Sequence, residues 1–113
     1  MNLDNFSRYG AANVARNTLS SIITYTVPAN KTLIVTYAEA SHGVVGLNLF
    51  FRISRDASTL WSGQNNQYVS TIKTNNSMDK FIGGQTLYVK VSHLSGGNLY
   101  CYTSIKGILF DNS

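Results

Sequence analysis

The run "TLYVKVSHLSGGNLYCYTSI", residues 86–105, constrains the fold of this chain more than any other stretch. Leu87, Val89 and Val91 alternate with Tyr88, Lys90 and Ser92, and Leu99, Cys101, Thr103 and Ile105 then alternate with Tyr100 and Tyr102. A period of two puts each apolar set on one face of a strand, whereas a helix would scatter it around its circumference. Gly96 and Gly97 between the two runs supply a tight reversal. The segment therefore predicts two antiparallel strands, each with one apolar and one wet face.

The same grammar recurs from residue 19 onward. "LSSIITYTV" (19–27) meets Pro28, which cannot donate to a ladder, and "TLIVTYAEA" (32–40) follows, so the pair reads as a hairpin turning at 28–31. "LNLFFRIS" (47–54) sets Leu49, Phe51 and Ile53 against Phe50, Arg52 and Ser54. "TLWS" (59–62), "YVSTIK" (68–73) and "KGILF" (106–110) read as further strands, with turns at 55–58, 63–67 and 74–80. About eight short strands with no helical period predict an all-β fold, an antiparallel β-sandwich of jelly-roll type. Leu49, Phe51, Ile53, Leu87, Val89, Val91, Leu99, Cys101 and Ile105 should face its core.

Residues 1–18 read differently. They are polar and Asn-rich, with isolated Leu3, Phe6, Tyr9 and Val14. The segment is expected to be an extended N-terminal arm outside a sandwich domain of residues 19–113. Leu3, Phe6, Arg8, Tyr9 and Arg16 are its candidate partner contacts, since a purely entropic tail needs neither aromatics nor arginines.

At 113 residues the chain has room for one domain. Charged residues are 12%, about half the usual level, and Asn, Ser and Thr fill 35 positions instead. Such a surface suits packing against copies of itself or a partner. The net charge is +4, but the nine Lys and Arg residues are scattered, and a phosphate-tracking surface needs them clustered. Nucleic-acid binding is not expected. Neither is membrane insertion: no apolar run reaches the ~20 residues a spanning helix needs. "MNLDNFSRYG" lacks the apolar core of a signal peptide, so synthesis in a cytoplasm is expected.

Chemistry-bearing motifs are sparse. His42 and His93 each close a strand, and no nucleophile-elbow motif frames a serine. Cys101 lies in an alternating run and reads as a small buried hydrophobe. There is no HExxH, no Cys/His spacing and no Asp-rich calcium loop. No catalytic residues, metal or cofactor are therefore expected. Trp61 beside Gln64, Asn65 and Asn66 is a candidate sugar contact, an aromatic surface beside amides; a core or interface Trp is the competing reading. Phe50, Tyr88, Tyr100 and Tyr102, and Tyr37 with them, fall opposite the expected core and are candidates for a subunit interface.

"TVPANKTLIVTYAE", followed by "GGQTLYVKVSHLSGGNLYCYTSIKGILF" with its Gly107-Ile108 pair, resembles small jelly-roll or β-sandwich virion proteins of bacteriophages. Those often carry a "VPAGKT"-like turn; Asn30 stands here in place of the glycine. The resemblance covers roughly residues 19–110. It implies a non-enzymatic virion protein, a capsid decoration (cement) protein, a head fibre or a tail knob, commonly a homotrimer; of these a decoration protein bound to the major capsid protein is expected. The alternative it leaves open is a receptor- or carbohydrate-binding tail or fibre knob.

Overall fold

A computed structural model describes residues 3–42, 49–65, 79–94 and 97–112. Among these residues lie eight strands: β1 (Leu3–Val14), β2 (Ser20–Thr26), β3 (Lys31–His42), β4 (Leu49–Arg55), β5 (Ser58–Asn65), β6 (Asp79–Ile82), β7 (Thr86–His93) and β8 (Leu99–Asp111). They form two four-stranded sheets, ordered β1-β8-β3-β6 and β2-β7-β4-β5, and every pairing is antiparallel.

The order has a simple logic. First pairs with last (β1–β8), then β2 with β7, β3 with β6 and β4 with β5. The chain is thus one long doubled ribbon. Rolling it up brings β8 beside β3 and β7 beside β4, which gives the jelly roll expected from the sequence. The roll is elongated, 50 × 21 × 19 Å.

The core lies between the sheets. All nine residues expected to face inward are buried. Phe6, Val14, Ile23, Val27, Leu33, Val35, Ala38, Ala40 and Phe81 join them. Thr103 occupies the same inner face, and its hydroxyl has no hydrogen-bond partner among the described residues.

Three expectations need correction. Residues 3–14 are not a free arm but edge strand β1, in unbroken register with β8 from Leu3↔Phe110 to Val14↔Leu99. Among the described residues of the expected arm, only those beyond Val14 lack strand structure, and there Asn17 takes a positive φ of 57° and donates its amide to the His93 carbonyl at 2.7 Å.

The 28–31 turn does not close a hairpin. Lys31 N bonds Pro28 O at 3.0 Å, but β2 and β3 belong to different sheets. The same is true of β7 and β8. Among the described residues, β4 and β5 are the only consecutive strands that pair directly, through a turn where Asp56 has φ 51°.

Strand boundaries also shift. Residues 99–105 and 106–110 form one strand, β6 begins at Asp79 inside the turn expected at 74–80, and the expected strand 68–73 lies outside the described residues. Gly107 explains the apparent break at "KGI". It sits opposite a bulge between Val35 and Tyr37, and a Cβ there would overlap the Ile34 carbonyl oxygen. The glycine admits a close backbone approach in mid-strand.

Candidate interaction surfaces

The outer face of the β1-β8-β3-β6 sheet is built from the residues that alternate with the core. The register defines its rows. Leu3, Phe110, Thr32 and Ile82 lie side by side, then Asn5, Ile108, Ile34 and Lys80. Next come Ser7, Lys106 and Tyr37, then Tyr9, Ser104 and Glu39, then Ala11, Tyr102 and Ser41, and last Asn13 and Tyr100. Leu3 is 65% exposed, Tyr9 69%, Ile82 49%, Tyr100 50% and Tyr102 38%. Ten residues separate the first and last rows along β8, or about 33 Å.

Specific contacts order this face. The Tyr100 and Tyr102 rings meet edge-on with centroids 5.2 Å apart. Tyr37 donates its hydroxyl to Glu39 Oε2 at 2.5 Å, and Lys106 Nζ lies 5.9 Å from the Tyr37 ring. The hydrogen bond to Glu39, with burial and the nearby carboxylate charge adding to it, pushes the Tyr37 phenol up to about 12.

The opposite outer face, on the β2-β7-β4-β5 sheet, has another character. Thr24, Thr26, Thr86 and Ser92 surround Tyr88, Lys90, Phe50 and Arg52. Lys90 Nζ sits 5.0 Å from the Tyr88 ring. Asn17, Leu19, Phe50, Arg52 and Ser92 line a shallow concavity of about 290 Å³.

The structure therefore regroups the expected contacts. Phe50 and Tyr88 lie on one side of the sandwich, and Tyr100 and Tyr102 on the other, so the four do not make one surface. Leu3 and Tyr9, assigned to an arm, share a face with Tyr100 and Tyr102. Phe6 is not a free anchor: it is buried, its ring 4.8 Å from that of Tyr25. Arg8 covers both rings, its guanidinium 4.7 Å from Phe6 and 5.0 Å from Tyr25. Arg16 is exposed, with Nε donating to the Leu94 carbonyl at 3.4 Å. The backbones of Trp61, Gln64 and Asn65 belong to edge strand β5, opposite Ile53, Phe50 and Leu49; Asn66 lies outside the described residues.

Groups with latent reactivity are held by the fold. His93 is buried, and its Nε2 donates to the Val14 carbonyl at 2.5 Å, tying the end of β7 to the end of β1. His42 is buried as well. Cys101 is buried, and desolvation pushes its thiol up to about 11, away from the thiolate that acts as a nucleophile. Among the described residues, no group of three or more His, Cys, Asp or Glu side chains is placed to hold a metal ion.

No protein family and no curated protein matches the chain by sequence. Among solved structures it is similar to the VP2 subviral particle of infectious bursal disease virus, with a TM-score of 0.51 at 9% identity over 97% of this chain and 33% of that one. The Gx strain of the same virus aligns over 99% of this chain with a TM-score of 0.49, again at 9% identity. The chain spans about a third of the length of these proteins. At such identity the likeness speaks to the fold: the eight-stranded sandwich traced above is of a kind found in a virus particle protein.

Proposed function

We propose that the chain is a non-enzymatic structural protein of a bacteriophage virion, a decoration protein that binds the major capsid protein and stabilises the shell as a homotrimer. The observation that carries this reading is the outer face of the β1-β8-β3-β6 sheet, where Leu3, Tyr9, Ile82, Tyr100 and Tyr102 stand exposed on one continuous surface. Exposed aromatic and aliphatic side chains interleaved with mostly neutral polar ones, on a small domain, mark an interface. The jelly-roll fold, shared with a virus particle protein, and the resemblance to phage virion proteins support the virion setting. Each tyrosine covered on docking would contribute ~1.5–3 kcal/mol before ordering costs. Symmetric copies would multiply modest single contacts by avidity.

The test is binding to capsids that lack the protein. Point substitution is the probe, because truncating residues 1–18 would remove β1 from the fold. The wild-type chain should bind, and Tyr9→Ser with Tyr102→Ser should weaken binding at least tenfold while the β-sheet circular dichroism spectrum persists. Sedimentation should give a trimer. Full-strength binding by the double variant would remove this face from the mechanism. A chain that ignores capsids but adheres to host cells would move the assignment to a tail knob.

A further inference from the structure

We infer that the concavity on the β2-β7-β4-β5 sheet is a binding site for a small organic carboxylate, with Arg52 as its anchor. Arg52 Nε is buried and has no hydrogen-bond partner among the described residues. A buried guanidinium donor without an acceptor is costly, and native folds leave few of them. Arg52 also lines the concavity, so a group bound there would lie against this side chain.

The surroundings select the sign and the size of the ligand. Lys90 lies directly opposite Arg52 in the β4–β7 register, outside the lining of the concavity and with its ammonium over the Tyr88 ring, so it adds a second positive charge to this face. No described acid offsets them on this face: Asp56 accepts the Thr86 amide at 2.9 Å, and Asp111 pairs with Lys31 on the other sheet. A carboxylate fits a guanidinium in geometry as well as charge. Ser92 and Asn17 add hydroxyl and amide groups, and Phe50 and Leu19 an apolar wall. A volume of about 290 Å³ suits a ligand of monosaccharide size. The site lies on the opposite sheet from the proposed capsid-binding face, so either assignment can fail without the other.

The test is calorimetric titration of the full chain with three probes: glucuronate, glucose and N-acetylglutamate amide. Saturable binding of glucuronate, with glucose at least tenfold weaker, assigns a free sugar acid. An equal or stronger response to the glutamate amide assigns an acidic side chain of a partner protein. Arg52→Gln should weaken whichever carboxylate binds about tenfold or more. The same variant should keep the β-sheet circular dichroism spectrum, so that a loss of binding is not a loss of fold. Lys90→Gln, at the neighbouring position, should weaken binding less. Binding of neither carboxylate, equal binding of glucose, or unchanged affinity in Arg52→Gln would overturn the site.

Discussion

Single residues in this sandwich are constrained by what lies directly across from them. Gly107→Ala should destabilise by about 2–3 kcal/mol, because the new methyl meets a carbonyl oxygen rather than a side chain that can turn away. Urea unfolding would show it as a lower midpoint with an unchanged slope. Thr103→Val should act in the opposite direction. It replaces a buried hydroxyl that has no partner among the described residues by an apolar group of similar shape, so a gain of about 1 kcal/mol is expected in the same assay. Tyr37 adds a dependence on pH. Its phenol is raised from 10.0 to about 12, so the fold favours the protonated form. That contribution is complete below pH 10 and is lost as the pH rises towards 12. The side chain is only partly buried, which keeps the effect below about 1 kcal/mol. The melting-temperature advantage of wild type over Tyr37→Phe should accordingly shrink between pH 10 and 12.

Among the elements, β1 shows most clearly what a sequence does and does not reveal. The strands of residues 86–105 were legible because large apolar side chains fill their inner faces. In β1 the inner positions are Asp4, Phe6, Arg8, Gly10, Ala12 and Val14, and only two of them are large and apolar. The small residues answer to β2: a Cβ at Gly10 would come within 2.8 Å of Ile22 and 2.9 Å of Ile23. A strand thinned to admit its neighbour loses the periodicity by which strands are recognised. Pairing partners were hidden for a related reason. Alternation reports a face, not a neighbour, and a glycine pair such as Gly96-Gly97 fits a link between sheets as well as a hairpin. The surface residues were found by the same alternation, but their division between two faces depends on which sheet each strand joins. Phe6→Ala should cost about 3–4 kcal/mol, the loss expected for a buried phenylalanine and far more than for one in a mobile arm. Thermal melts of the variant would separate the two cases.

For the molecule as a whole, the nested pairing makes nearly every contact distant in sequence; Leu3 meets Phe110 and Thr32 meets Ile82. Refolding should be slow for a domain of this size, in the range of milliseconds to seconds or longer, as stopped-flow Trp61 fluorescence would record. The position of β8 carries this further. The last strand of the chain lies between two of the earliest, β1 and β3. As the polypeptide leaves a ribosome, β4 and β5 can pair at once. β1 and β3 must wait with unpaired edges until β8 emerges to fill the gap between them. Nascent chains stalled before residue 99 would therefore expose two open β-edges, the form most prone to capture by chaperones or by one another.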